Sequence, residues 1–305
     1  MKAAARKKFE KAVKGLLLFA AAVSVLSVLF ITLFIVIEGV PLFFRSTTGY
    51  DPPGLAEFLF GTRWAPTDEP PAFGILPFIV GSLMVTAGSL VFAVPIGIAA
   101  GVFIAEIAKG RAQRTLRSVT EILAGIPSVV YGFFGVMMIG FFLSRDTNPL
   151  VNYNAFSAML ILAMMMLPTI ITMTEVAIRS VPREFHLGSL ALGSSHWQTI
   201  WRVTVPAARG GIITGVILGM ARSIGETMAV LMVAGNQPTL PMNGLRSRVR
   251  TMTMAIANDM GYAGGDHRVA LFTTAIVLFV FILLLNLAIQ LIMRKSKMKV
   301  QQGGT

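Results

Sequence analysis

The chain has 305 residues, of which 55% are hydrophobic and only 13% are charged, and its formal net charge is +12. A soluble domain carries about 25% charged residues, so this composition excludes an ordinary soluble protein and indicates a multi-pass membrane protein with one domain. Cysteine is absent, which excludes a disulfide framework. The basic residues cluster between apolar spans, as orientation signals and lipid contacts do, so no nucleic-acid partner is predicted.

The N-terminal segment, residues 1–14, carries six basic residues against one acid, Glu10. This charge bias predicts a cytoplasmic N-terminus. The apolar run that follows, residues 16–37, is longer than the core of about 7–15 residues in a signal peptide. Residues 15–40 are therefore predicted to form an uncleaved first membrane helix. The next segment, 41–72, is rich in proline and poor in basic residues, which predicts an extracytoplasmic loop.

Five more membrane helices are predicted within residues 73–293. The second lies in 73–107, with a break near Pro77 and a kink or neighbour contact at Pro95. The third, 118–143, is interrupted at residues 125–128. The fourth, fifth and sixth spans are predicted at 155–178, 208–235 and 269–293. Outer loops are predicted at 144–154 and 236–268. A basic tail, 294–305, places the C-terminus in the cytoplasm beside the N-terminus.

The fifth span, 208–235, contains two charges near its middle, Arg222 and Glu226. On one continuous helix their spacing puts both side chains on the same face. A charge at mid-bilayer costs about 2.5–3.5 kcal/mol, and such charges usually mark transport pathways. The pair is predicted to face a protein interior or an aqueous path, and a purely structural ion pair is the alternative. Glu121 and Glu175, near the inner ends of their spans, are interpreted as ordinary interfacial carboxylates.

The cytoplasmic loop 179–207 is too long for a simple helix connection, which takes about 2–8 residues. Pro182 suits the first turn of a short helix over 183–192, and Gly193 ends that helix. Trp197 and Trp201 then lie on the apolar face of a second short helix. Apolar anchors on an exposed helix predict docking into the groove of a partner, with a helix on the membrane surface as the alternative.

The outer loop 236–268 carries arginines against the usual bias of basic residues toward the cytoplasm. Arg246, Arg248 and Arg250 are predicted to form an electropositive outer surface that receives an anion or its carrier protein. The alternative is local ion pairing with Asp259 or Asp266, which is common and weak at exposed sites.

Several segments resemble a known family. The loop 179–207 resembles the signature loop of ABC importer permeases, with Gly193 and Pro206 in register, although Leu187, Gly188 and Ser189 occupy its Glu-Ala-Ala positions. Segments 73–83, 125–135 and 222–236 are similar to the phosphate importer, and the last resembles its PstC-type permease rather than the PstA-type sister. The resemblance covers roughly residues 73–290.

This resemblance implies an all-α type I ABC importer permease fold with six transmembrane helices in a bacterial or archaeal plasma membrane. It implies a PstA-like permease, a dimer of PstB-like ATPase subunits and an external PstS-like phosphate-binding protein as partners. Independently of the resemblance, Arg222 and Glu226 are predicted from their depth to act on the translocated phosphate. The residues implied in ATPase coupling are Arg183, Glu184, Leu187, Gly188, Ser189, Gly193, Trp197, Trp201 and Pro206.

The residue chemistry agrees with such a subunit. No Gly-x-x-x-x-Gly-Lys-Ser/Thr sequence occurs, so ATP hydrolysis is expected on a separate subunit, and no cofactor or metal is predicted. The three histidines form no motif that would favour a membrane enzyme. A guanidinium such as that of Arg222 matches phosphate oxygens, and Glu226 can accept a hydrogen bond from hydrogenphosphate, which sulfate cannot donate. A permease for sulfate or molybdate, a stand-alone channel and a secondary transporter remain the alternatives.

Overall fold

The computed structural model describes residues 2–45, 49–139 and 153–302, with side chains over 9–45, 49–137 and 153–287. Most of the predicted outer loop 144–154, and the end of the predicted third span, lie outside the described residues. Within them, five helices are long and apolar enough to cross a membrane. Their bounds are Phe9–Phe43, Leu76–Ile107, Ala155–Arg179, His196–Ile224 and Gly265–Leu287.

The candidate for a sixth span is a pair of helices that meet at a sharp bend. The chain bends by 97° between the helices Gly110–Gly125 and Ser128–Met137, which together pass the same length and hydropathy test. Counting this pair as one span gives the six that the sequence predicts. The interruption predicted at residues 125–128 is confirmed, and Pro127 lies at the bend, where it excludes a continuous helix. The first of these two helices carries Arg111, Arg114 and Arg117.

Twelve helices and a short hairpin are numbered here in chain order over the described residues. They are α1 Lys2–Gly39, α2 Leu55–Phe60, β1 Trp64–Ala65, β2 Ala72–Phe73, α3 Leu76–Val102, α4 Gly110–Gly125, α5 Ser128–Phe134, α6 Ala155–Arg179, α7 Arg183–Ala191, α8 His196–Thr199, α9 Val205–Ile224, α10 Met228–Val233, α11 Met252–Asp259 and α12 Gly265–Gln302. Single π turns extend α3 over Phe103–Ile107 and join α8 to α9 over Ile200–Thr204.

Helix α6 is the centre of the bundle, and α3 and α9 pack along it. Small residues allow this close approach: an added Cβ at Gly97 would lie 2.7 Å from Ile170, and one at Gly215 would lie 2.6 Å from Met173. Such small-residue contacts are typical of helix packing in membranes. Pro77 lies in the first turn of α3, near the predicted break, and Pro95 is accommodated inside the helix.

Helix α1 contacts the bundle mainly along α12. Phe34 packs edge to face on Phe272, with ring centroids 5.6 Å apart, and the Thr273 hydroxyl donates to the Gly39 carbonyl at 2.7 Å. Most other apolar side chains of α1 are exposed in the single chain, as expected for a helix that faces lipid. Gly39 fits against α12 because an added Cβ would lie 2.7 Å from Ile276.

Two of the predicted outer loops, 41–72 and 236–268, contain helices or strands in the described residues. The β1–β2 hairpin and α2 cover an apolar cluster that includes the fully buried Phe58, Phe78 and Met252. The segment predicted as an outer loop, 236–268, contains α11, which is mostly buried. The sixth span begins at Gly265 instead of residue 269. Burial of apolar side chains stabilises these segments, which hydropathy alone does not assign to a helix.

Candidate functional site

The fifth span is broken where the sequence predicts a continuous helix. Helix α9 ends at Ile224, residues 225–227 are not helical, and α10 begins at Met228. The prediction that Arg222 and Glu226 share one helical face is therefore wrong. Gly225 disfavours helix, and the Glu226 carboxylate accepts a hydrogen bond at 3.3 Å from the Ala229 N–H in the first turn of α10. This bond satisfies a backbone donor that a helix end leaves free.

Arg222 lies in the last turn of α9, where a cation is favourable to the helix dipole. Its side chain is exposed in the single chain, whereas Glu226 is half-buried. No ion pair or hydrogen bond joins the two side chains within the part of the chain that the structure describes. The structural ion pair that their spacing suggested is thus absent there, and the guanidinium is available to another group.

The broken segment is fixed by neighbours from three directions. The Thr253 hydroxyl of α11 donates to the Glu226 carbonyl at 3.1 Å. Ser223 lies 3.4 Å from Ser89 of α3, between hydroxyl oxygens. An added Cβ at Gly132 of α5 would lie 3.0 Å from the Cα of Ala229. Non-helical backbone at membrane depth is tolerated only inside protein or along a water-filled cavity, and discontinuous helices form transporter binding sites.

The helix-turn-helix predicted for the loop 179–207 is confirmed. Helix α7 spans Arg183–Ala191, and Gly193 has a φ of +86°, a backbone conformation that favours glycine. Ser195 and Gln198 form a capping box at the start of α8. One detail is wrong: the second helix is not separate, because α8 continues through the π turn into α9. The loop therefore leads directly into the broken span.

The predicted coupling residues divide into exposed and structural ones. Leu187 and the two tryptophans are exposed, and the Trp197 and Trp201 rings pack edge to face at 5.7 Å. Ser189 instead holds the turn, since its hydroxyl lies 2.7 Å from that of Ser194 and 3.1 Å from that of Thr199. The other exposed members of the set are Arg183, Glu184, Gly188, Gly193 and Pro206. An exposed apolar face beside a rigid turn suits docking into a groove.

The three outer arginines do not form one surface. Arg250 is 6% exposed, forms an ion pair with Asp259 and lies over the Phe78 ring. The alternative of local pairing is therefore correct for Arg250, and its assignment to the outer surface is wrong. Arg246 is exposed, and Arg248 is half-buried against Gly235. Of these three arginines, Arg246 is the one whose side chain the described structure leaves exposed.

Asp259 is the centre of a buried polar cluster. Burial raises the pKa of Asp259, but hydrogen bonds from Tyr262 and Asn258 and the charge of Arg250 outweigh burial, so its pKa lies below the usual value. Tyr262 donates to the carboxylate at 2.5 Å and Asn258 at 2.9 Å. The carboxylate is therefore ionised at neutral pH, and its loss of charge in acid is expected to destabilise this outer layer.

We expect Arg250→Gln to lower stability and Arg246→Gln to leave stability nearly unchanged but to slow uptake. Removing Arg250 leaves the buried Asp259 carboxylate without its cation, which typically costs about 3–5 kcal/mol. Arg246→Gln, at an exposed site, should stay within about 0.5 kcal/mol of the parent but slow anion uptake at low ionic strength. Thermal unfolding in detergent and uptake at two salt concentrations test both statements. Equal melting temperatures of the two variants would contradict the burial argument.

Glu175 is the residue whose role sequence reasoning missed. The interpretation of Glu175 as an ordinary interfacial carboxylate is wrong, because it is 4% exposed and forms ion pairs with Arg117 and Arg179. The spacing of four residues between Glu175 and Arg179 on α6 could have indicated their ion pair. The pair with Arg117 could not be predicted in this way, because Arg117 is on another helix. Glu121 is exposed, and its place at the membrane interface stays a prediction. No group of three metal-ligating side chains occurs in the described ranges.

Comparison with known proteins identifies related sequences over most of the chain. The family model described as "Binding-protein-dependent transport system inner membrane component" matches residues 93–298. The probable ABC transporter permease protein YqgH of Bacillus subtilis is 38% identical, over 89% of this chain and 86% of its own. The phosphate transport system permease protein PstC 1 of Mycobacterium tuberculosis is 35% identical, over 73% of each chain. PstC of Haemophilus influenzae is 30% identical, over 79% and 81%.

Solved structures support the fold. A chain of a bacterial ABC transporter that imports the acidic polysaccharide alginate matches with a TM-score of 0.64 and 16% identity, over 95% of this chain and 99% of that one. A chain of the MetNI methionine ABC transporter, in an inward-facing conformation, matches with a TM-score of 0.59 and 19% identity, over 72% and 95%. Both are similar in fold to the chain described here.

Proposed function

This chain belongs to the binding-protein-dependent transport system inner membrane component family, and from that membership we propose that it forms the path for inorganic phosphate in an ATP-driven importer. It is an ABC importer permease subunit of type I fold. The observation that carries the phosphate proposal is the broken fifth span with the unpaired guanidinium of Arg222. The similarity to PstC permeases supports the same choice of anion.

The proposed role of Arg222 is to bind phosphate transiently as it passes the break at residues 225–227. A guanidinium presents donors in a planar fork that fits two phosphate oxygens. Glu226 accepts a backbone hydrogen bond through one carboxylate oxygen, so its other oxygen remains to accept a hydrogen bond from the O–H group of hydrogenphosphate. Sulfate has no such proton at neutral pH, so an unpaired carboxylate would disfavour it.

The proposed partners follow from the division of labour in this family. The chain lacks a phosphate-binding loop for ATP, so a dimer of PstB-like ATPase subunits would dock on α7 and the start of α8. A PstA-like permease would complete the path, and an external PstS-like protein would deliver phosphate. Arg246 and Arg248 are proposed to attract that anion or its carrier at the outer face.

Anion uptake by the reconstituted complex tests the proposed function. The four kinds of subunit are expressed together, purified and placed in vesicles with ATP inside. Phosphate uptake should require both ATP and the external binding protein, and it should exceed sulfate and molybdate uptake. Uptake without the ATPase subunits would favour a channel or secondary transporter, and preference for sulfate or molybdate would contradict the proposed anion.

The proposed topology, with both termini in the cytoplasm, predicts which engineered cysteines are accessible from outside. The chain has no cysteine of its own, and Thr67, Asn243, Arg114 and Ser195 are all exposed. A membrane-impermeant thiol reagent on intact cells should label Thr67→Cys and Asn243→Cys. Arg114→Cys and Ser195→Cys should react only after the cells are opened. Labelling of either of the last two on intact cells would contradict the orientation.

A further inference from the structure

One buried carboxylate joins two spans near the start of the coupling loop. Glu175 lies one turn before the end of α6 and is 4% exposed. Its Oε1 atom accepts hydrogen bonds from Arg117 of α4 and, at 2.9 Å, from Nε of Arg179. A buried carboxylate stays charged only with such partners. Glu175 therefore fixes the distance between α4 and α6 as long as both arginines remain bound to it.

A backbone carbonyl extends this cluster to the end of α3. The Ile104 carbonyl, in the π turn Phe103–Ile107, accepts hydrogen bonds from Arg179 at 3.4 Å and from the Gln113 amide at 2.9 Å. Gln113 and Arg117 are four residues apart on α4, so they share one face of that helix. The ends of α3 and α6 and one face of α4 are therefore held together by Glu175, Arg179 and this carbonyl.

The same cluster is continuous with α7. Only residues 180–182 separate α6 from α7, and backbone hydrogen bonds order them: Ser180 N–H donates to Val176 at 3.0 Å and Val181 N–H to Ile178 at 3.1 Å. His186 of α7 also lies 3.9 Å from Glu106 in the π turn, between Nδ1 and Oε2. A displacement of α7 therefore acts directly on the end of α6 and on the π turn.

On its other side the cluster leads to the broken span. Helix α4 turns by 97° into α5, and the Tyr131 hydroxyl donates to the Leu123 carbonyl at 2.8 Å across that bend. Helix α5 contacts α10 closely at Gly132 and Ala229. Because packed interiors transmit displacements instead of absorbing them, a change in the tilt of α4 should move α10 and residues 225–227.

We propose that Glu175 is a positioning residue for transport, which links displacement of α7 to the α4–α5 bend and, through α10, to the break beside Arg222. This inference rests on the proposed function, since it requires that α7 receive the movement of an ATPase subunit. The ion-pair cluster is the connection, and the contacts run without a gap from α7 to the broken span. Glu175 itself touches neither ATP nor the anion.

The test is Glu175→Gln in the fully assembled transporter. The amide keeps the size of the side chain and one acceptor oxygen, but it removes the charge that holds both arginines. Coupling between sites is typically worth about 5- to 150-fold, so phosphate transported per ATP hydrolysed should fall at least about fivefold. Basal ATP hydrolysis and the amount of assembled complex should stay near those of the parent. A purely structural role would lower hydrolysis and uptake together, in proportion to the complex lost.

Asp68→Asn is the matched control, because it removes the carboxylate of the exposed Arg63–Asp68 ion pair, where little effect is expected. A Glu175→Gln complex with the parental ratio of uptake to hydrolysis would overturn the inference. If that variant does not assemble, Arg117→Gln, which removes the more exposed partner, is judged by the same ratio. A parent complex that hydrolyses ATP but moves no phosphate would contradict the proposed function instead, and the ratio would then be measured with the anion that is transported.

Discussion

Arg222→Gln is expected to lower phosphate uptake by about 10- to 100-fold, since a hydrogen bond to a charged group contributes about 1.5–3 kcal/mol and each 1.4 kcal/mol is about a factor of ten. The amount of assembled complex should be unchanged, because the Arg222 side chain is exposed in the single chain and has no partner within the described residues. The measurement is uptake normalised to assembled complex in the membrane.

Two further variants test whether the guanidinium group of Arg222 is needed and whether Arg222 acts as a partner of Glu226. Arg222→Lys should remain impaired, because an ammonium lacks the planar fork of a guanidinium. Combining Arg222→Gln with Glu226→Gln should not restore uptake, because the two side chains do not form a pair in the described structure. Arg63→Gln, at an exposed ion pair of the outer layer, is the matched control. Parental uptake by the double variant would show that Arg222 does not act on the anion.

Gly193→Pro is expected to uncouple ATP hydrolysis from transport. Gly193 has a φ of +86° and donates its N–H to the Leu190 carbonyl at 2.9 Å. Proline fixes φ at about −65° and has no N–H, so the turn between α7 and α8 cannot keep its present backbone conformation. Strain of about 1–3 kcal/mol and the lost hydrogen bond together favour another loop conformation. Uptake should fall about tenfold or more, while the membrane helices remain inserted.

The control for this loop variant is Gly49→Pro. Gly49 also has a positive φ, of +79°, with no atom within 4 Å of an added Cβ, as at Gly193. The two variants therefore introduce similar backbone strain in different loops, one predicted inside and one outside. ATP hydrolysis stimulated by the loaded binding protein is measured in vesicles for both. Gly193→Pro should lose that stimulation and Gly49→Pro should keep it; stimulation retained by both would exclude α7 and its turn from coupling.

Features that depend on residues close together in the chain, such as spans and bends, can be predicted from the sequence. Long apolar runs predict the spans, since a helix satisfies its own backbone groups in lipid. Pro127 predicts the bend after α4, and Pro182 with Gly193 predicts the bounds of α7, because their allowed backbone angles depend on the residue itself. The resemblance to ABC importer permeases also follows from local segments, and the family match confirms it.

Only the tertiary structure decided the arrangement of the charged residues. Arg117 and Glu175 are 58 positions apart, and the Met252 N–H donates to Ser82 across 170 positions, so no local pattern predicts either contact. The break at residues 225–227 depends on contacts with α3, α5 and α11 as well as on Gly225. Arg250 is buried because α11 and Phe78 enclose it. By itself the sequence determined which segments are long and apolar enough to cross a membrane. Packing between distant segments decided where the fifth span breaks and which charges are paired within the described residues.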